Sequence, residues 1–251
     1  MTASRIIYGT AWKKERTVTL VINAVLNGFR AIDTAGQPKH YRFTSLGGQD
    51  QSKPLPYDPL NRLETQINDS FENSLKNLQT SYIDSYILHS PLETFPRTIT
   101  AWKTLMALQD AGKVKYIGVS NSYDVSLLEA LEADGGRRVQ VVQNRWFEGN
   151  GWDAEVLAYC RKHGIQYQSF WTLTGSPSLL SHPLMKSFAE AKGCTSAQAV
   201  YRLAQHHGIT PLSGTSNEEH MRADIAVEEI VVDAKDKKIV LEVAKWMGIK
   251  D

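Results

Sequence analysis

Short β-branched runs alternate with longer amphipathic stretches throughout this 251-residue chain, which predicts an α/β protein of parallel strands joined by right-handed crossovers. Such a chain can form an open doubly wound sheet or a (β/α)8 TIM-type barrel, and two observations favour the barrel. After the first strand, Gly9-Thr10-Ala11-Trp12 is followed by no further glycine until Gly28, so the G-x-G-x-x-G turn of the open dinucleotide fold is missing. Residues able to do chemistry stand instead at the ends of several strands, Asp33, His89, Asn121, Gln143 and Trp171, as on the catalytic rim of a barrel. The length suits one barrel domain over residues 1–251.

The first strand is expected over residues 5–10. A helix over 14–29 follows, with Val18, Val21, Ile22, Val25 and Phe29 on one face by their three-and-four spacing, and Gly28 near its end. A second strand covers 30–33. Pro59 opens a long helix at its first turn, where the missing N–H costs nothing, and Leu60, Leu63, Ile67, Phe71, Leu75 and Leu78 keep the helical rhythm. Further strands are expected over 82–88, 114–119, 139–144, 165–171 and 209–212. Helices are expected over 98–111, 124–132, 154–163, 182–192, 196–206, 218–226 and 234–247, with Gly112 as one C-terminal stop. That makes seven strands, one short of a closed eight, and closure fixes strand number, tilt and shear together.

Composition narrows the function classes. Lys and Arg number 28 against 27 Asp and Glu, and no basic-rich window offers an electrostatic footprint for nucleic acid. No apolar run reaches the ~18 residues of a membrane span, and Met1-Thr2-Ala3-Ser4-Arg5 has none of the features of a signal peptide. Two cysteines, Cys160 and Cys194, support neither a disulfide framework nor a zinc site, so a reduced, cytoplasmic compartment is expected. The expected partner is a small molecule, and the expected state a monomer or weak dimer. Trp12, Trp146, Phe147 and Trp152 are candidates to wall an apolar pocket, although aromatics at strand ends serve equally as packing.

Seven motifs lie in order along nearly the whole chain: Ile6-Ile7-Tyr8-Gly9-Thr10-Ala11-Trp12, Ile32-Asp33-Thr34-Ala35-Gly36-Gln37-Pro38-Lys39-His40-Tyr41, Tyr86-Ile87-Leu88-His89-Ser90-Pro91, Ile117-Gly118-Val119-Ser120-Asn121, Val141-Val142-Gln143-Asn144, Ser169-Phe170-Trp171-Thr172-Leu173-Thr174 and Pro211-Leu212-Ser213-Gly214-Thr215. In these the chain resembles the aldo-keto reductases, especially the fungal type. The resemblance implies NAD(P)H-dependent reduction of an aldehyde or ketone, with NADP(H) as the expected cofactor and NAD(H) left open. It implies Tyr41 as proton donor, Asp33 as the carboxylate of the relay and His89 beside the substrate carbonyl, with Trp12 also facing substrate. Taken alone, Asp33 could equally cap a turn, His89 be a satisfied polar group and Tyr41 a packing residue. For the cofactor, the resemblance implies Gly9, Thr10 and Asp33 on the nicotinamide side and Ser120, Asn121 and Gln143 on the carboxamide. It also implies Phe170 or the neighbouring Trp171 as stacking partner, Leu173 alongside, and Ser213, Gly214, Thr215 and His220 around a phosphate at a helix N-terminus.

The chain departs from the family after Tyr41. Phe43-Thr44-Ser45-Leu46-Gly47-Gly48-Gln49-Asp50 resembles the stretch just after the family's catalytic lysine, so one helix–strand unit is read as absent between Tyr41 and Phe43. A phenol, ordinarily near ~10, needs a nearby cation to become a useful acid, and the lysine has no counterpart except Arg42, whose permanently charged planar fork does not replace a compact ammonium. The family's lysine and arginine for the 2′-phosphate correspond to Gly214 and His220, with Arg222 close by. A member that binds cofactor or a partner without turnover is the alternative expectation.

Overall fold

A computed structural model describes residues 6–35, 55 and 57–249. Strands β1 (Ile7–Gly9), β2 (Ile32–Asp33), β3 (Ile83–Leu88), β4 (Val114–Ser120), β5 (Val141–Arg145), β6 (Gln166–Phe170) and β7 (Ile209–Ser213) form one parallel sheet in the order β2-β1-β7-β6-β5-β4-β3. Helices α1 (Thr17–Leu26), α2 (Leu63–Leu78), α3 (Phe95–Asp110), α4 (Val125–Ala133), α5 (Ala154–His163), α6 (Pro177–Ser181), α7 (Pro183–Lys192), α8 (Ser196–His206), α9 (Glu218–Ala226) and α10 (Lys237–Met247) accompany the strands. The sheet curls strongly enough for a β5 side chain, Gln143, to bond a β2 side chain, Asp33, across the interior. The result is a TIM-type barrel of seven strands among the described residues, with β2 and β3 at the two ends of the sheet.

Local chemistry explains where the elements begin and end. Thr94 caps α3 by accepting from the Arg97 N–H, and Asp124 caps α4 through Ser126 at 2.8 Å. Thr195 and Gln198 form a reciprocal capping box at α8. Gly164 ends α5 at φ +67°, a left-handed stop that glycine adopts without a Cβ penalty. Between β4 and β5 the strands approach so closely at Gly118 that a Cβ there would lie 2.3 Å from the Val141 carbonyl oxygen.

Two apolar clusters hold the elements. The larger includes Phe71, Trp102, Ile117, Leu131, Val142 and Leu157, under the helices that cover β3 to β7. The smaller joins Ile6, Tyr8, Leu20, Ala24 and Phe29 to Tyr201, Met221 and Val227. Several expectations are corrected here. Helix α1 buries Leu20 and Ala24, while Val18, Ile22 and Val25 face outward at 70%, 53% and 44% exposure. Three-and-four spacing identifies a face without saying which side meets the sheet. Pro59 and Leu60 lie in a turn before α2, and Leu60 is exposed. A 3-10 segment at Glu148–Asp153 and the short helix α6 stand in addition to the expected elements. Trp146 and Trp152 sit in the larger core cluster.

Candidate active site

The C-terminal ends of the strands gather most of the candidate residues on one rim. At the end of β1, the Thr10 N–H and hydroxyl both donate to the Asp33 carbonyl, at 3.0 and 2.9 Å, fixing the ends of β1 and β2 together. The Asp33 carboxylate accepts from Gln143 Nε2 at 3.0 Å, and the same nitrogen donates to Gln168 Oε1 at 3.0 Å. Burial pushes the Asp33 carboxyl above the usual carboxylate range, and the Gln143 hydrogen bond only partly offsets this. Among the described residues no cation forms an ion pair with it.

His89 follows β3, and burial pulls its imidazole below the ordinary histidine value. Asn121, in the left-handed region at φ +52°, turns off the end of β4 and donates from Nδ2 to the His89 carbonyl at 2.9 Å. Ser120 is buried and donates to the Gln143 carbonyl at 2.6 Å. The ends of β3, β4 and β5 are thereby tied in sequence. Both Gln143 amide hydrogens are engaged, which leaves its Oε1 as the group it can offer a ligand.

Phe170 ends β6, and Trp171 follows in the left-handed region at φ +62°. The Arg145 guanidinium carbon lies 4.4 Å from the Trp171 ring centroid and 5.9 Å from that of Phe170, and Phe147 meets Trp171 edge-on. The guanidinium thus lies over both stacking candidates, closer to Trp171 than to Phe170. Leu173 packs against both apolar clusters. Trp12 stands at the rim after β1, 65% exposed.

The loop after β7 is tightly bonded. Ser213 donates to Asp224 at 2.5 Å, the Gly214 carbonyl accepts from Lys13 Nζ, and the Thr215 carbonyl accepts from the Tyr8 hydroxyl at 3.0 Å. Asn217 caps α9 by accepting from the amides of Glu219 and His220, so these two N–H groups are already occupied. Positive charge reaches the loop through Lys13, whose ammonium burial and the nearby Arg16 hold below the usual lysine value. Tyr41 lies outside the described residues, as do Lys39 and Arg42. The sequence does not single out Lys13, Arg145 or Gln168. Strand alternation from Gln143 would have pointed to Arg145, since i and i+2 share a face.

No helix among the described residues is long and apolar enough to cross a membrane. The chain is 30% identical to the glyoxal reductase of Bacillus subtilis over 226 residues, covering 85% of this chain and 79% of that protein. The crystal structure of an aldo/keto reductase from Brucella melitensis superposes with a TM-score of 0.76 at 22% identity, covering 95% of this chain and 94% of that one. A Gox0644 variant solved in complex with NADPH superposes at 0.75, with 24% identity and 95% and 88% coverage. The Aldo/keto reductase family profile matches residues 62–245, from the start of α2 into α10 and through every strand end from His89 onward, and the protein is a member of that family.

Proposed function

We propose that this protein reduces an aldehyde or ketone to an alcohol with NADP(H), as a single-domain cytoplasmic monomer or weak dimer. One observation carries the reading. Asp33, His89, Ser120, Asn121 and Gln143, from four different strand ends, meet on one rim of a barrel belonging to a carbonyl-reducing family. The relative solved with NADPH and the glyoxal reductase likeness support the cofactor and the substrate class.

The residues present fit a nicotinamide cofactor. A Cβ at Gly9 would make only ordinary contacts, 3.6 Å to the Ser213 carbonyl oxygen and 3.9 Å to Leu212, so packing does not demand glycine there. The missing side chain leaves room at the rim for a ligand. Lys13 and Arg16, beside the Ser213–Gly214–Thr215 loop, match phosphate charge. Ser120 and Asn121 would hold the carboxamide and Phe170 the ring. When bound, the cofactor supplies the hydride that reduces the carbonyl carbon. His89, held neutral by burial, orients the carbonyl oxygen as a hydrogen-bonding group. Tyr41 then gives its phenolic proton to that oxygen, with Arg42 as the sequence's candidate cation. The fungal-type pattern and the absence of one helix–strand unit after Tyr41 belong to the same reading, supported by the seven described strands ending at β2 and β3.

A second reading, cofactor binding without turnover, is favoured by Asp33 itself, whose described partner is a glutamine and not a cation. The test follows NADPH oxidation with a panel of aldehydes in wild type, Tyr41→Phe and His89→Ala. Turnover in wild type that collapses in both variants supports the reductase. A saturable NADPH fluorescence change without turnover supports the second reading, and equal rates in all three proteins reject the assignment.

A further inference from the structure

Among the described residues the guanidinium of Arg145, at the rim, has no hydrogen-bond or ion-pair partner. Its Nε is buried and unbonded, and no carboxylate or carbonyl among the described residues accepts from the guanidinium. Stacking against Trp171 and Phe170 offsets part of the cost of withdrawing the charge from water. It satisfies none of the five N–H donors, which are arranged as a planar fork matched to a carboxylate.

The location is specific. Arg145 closes β5 two residues after Gln143, so both side chains face the barrel interior, with Arg145 about 6–7 Å farther along the strand toward the rim. Gln143 bonds Asp33. From the other side, the Arg145 backbone N–H donates to the Tyr123 hydroxyl at 3.1 Å, the Tyr123 hydroxyl donates to Asn121 Oδ1 at 3.4 Å, and Asn121 Nδ2 donates to the His89 carbonyl at 2.9 Å. The unpaired fork and the candidate reaction centre therefore share one stretch of rim. Strand β6 separates Arg145 from the loop after β7, where Lys13 bonds the Gly214 carbonyl and Arg16 lies near Lys13, the two cations assigned above to cofactor phosphate.

We propose that Arg145 recognises a carboxylate on the substrate, so that aldehyde acids and keto acids are the preferred carbonyl class. This rests on the carbonyl-reductase reading above. A carbonyl held between Asp33 and His89 leaves Arg145 within reach of an acid group a few carbons away, where a bidentate pair fixes the substrate's orientation.

The experiment compares 4-formylbenzoate with its methyl ester, which share a carbonyl and differ in charge. Wild type should prefer the acid in kcat/KM by about 10- to 100-fold, carried by KM, as expected for one charge-assisted pair. In Arg145→Gln the acid-to-ester ratio should fall to about one, and Arg145→Lys, which keeps the charge without the fork, should fall between. An unchanged ratio in Arg145→Gln overturns the proposal. So does a tenfold loss of NADPH affinity with the ratio intact, which would assign the cation to a cofactor phosphate. If neither aldehyde is reduced, the reductase reading fails separately, and tryptophan fluorescence titrated with terephthalate decides the site. Saturable quenching that Arg145→Gln abolishes upholds carboxylate recognition, and identical responses in the two proteins overturn it.

Discussion

Gln143 Nε2 donates to Asp33 Oδ1 at 3.0 Å, joining the end of β5 to the end of β2 across the three strands that lie between them in the sheet. A flat sheet would hold these side chains well over 10 Å apart, since neighbouring strands are about 4.8 Å apart. The bond therefore reports the curl directly. It also places a carboxyl group in the interior with an amide as its partner.

Asp33→Asn should separate stability from activity. Burial raises the Asp33 carboxyl pKa in the folded protein, so its charge opposes folding above the ordinary carboxylate range, and the penalty disappears as pH falls below that range. Asparagine keeps an acceptor for Gln143 and removes the charge. The melting midpoint at pH 7 should rise by about 2–4 °C, with the gain shrinking toward pH 4. Turnover should drop at least about 100-fold. A lower midpoint at pH 7 would contradict the sign.

Two other buried carboxyls shape the pH dependence of stability. Asp153 accepts from Tyr167 and Asn144, each at 2.7 Å, yet burial raises it to about 6. Asp224 accepts from Ser213 and is likewise raised to about 6 by burial. Both folded values exceed the unfolded ones, so each group lowers stability as pH climbs from about 4 to about 6, by on the order of 3 kcal/mol. Urea unfolding at pH 4.5 and 7.5 should show this loss. Asp153→Asn and Asp224→Asn should each flatten the difference, and an unaltered difference in both variants would refute the argument.

His89 should titrate below an ordinary histidine, because burial disfavours its charged form. Ring-proton chemical shifts followed from pH 8 downward should show it neutral throughout the neutral range. In His89→Ala, kcat/KM for an aldehyde should fall about 100-fold. A His89 resonance already titrating near pH 7 would remove the neutral orienting group from the mechanism.

Gly118 and Gly9 should behave oppositely. The alanine methyl of Gly118→Ala would lie 2.3 Å from the Val141 carbonyl oxygen and 2.8 Å from its Cβ, which forces β4 and β5 apart. A cost of about 1–3 kcal/mol is expected, read as a midpoint lowered by at least about 2 °C. Gly9→Ala meets nothing closer than 3.6 Å, so the midpoint should move little. The added methyl occupies rim space, and NADPH affinity measured by fluorescence should weaken several-fold.

The sequence makes several strand ends legible because β1, β2, β4, β5 and β7 close on glycine or a polar residue that a β-branched run would not carry, whereas β3 and β6 close on Leu88 and Phe170. Asp33, Ser120 and Gln143 therefore lie close to their expected positions at strand ends. Helices α5, α8 and α9 match their expected bounds because Gly164, the Thr195–Gln198 box and Asn217 mark them chemically. The burial of α1 was not readable. Its sequence is apolar on both sides, and only contact with Phe29, Tyr201 and Met221 selects Leu20 and Ala24. Arg145 is not legible in the sequence for a related reason. Its lack of a partner is a property of the folded rim, and in sequence it reads as an ordinary surface cation.

The smaller apolar cluster has a kinetic consequence. It gathers β1 and α1 with α9 and Tyr201 of α8, while the larger cluster holds most of the rest, and β1 is registered against β7 by two residue pairs, Ile7 with Leu212 and Tyr8 with Ser213. Amide deuteration should therefore proceed sooner at Tyr8 and Leu20 than at Val119 and Val142, since the N-terminal portion can detach while most of the sheet and the larger cluster stay intact. Asp33 travels with that portion and Gln143 stays behind. On that order of exchange the candidate centre spans both portions, and a ligand gripping both sides would slow the exchange of each.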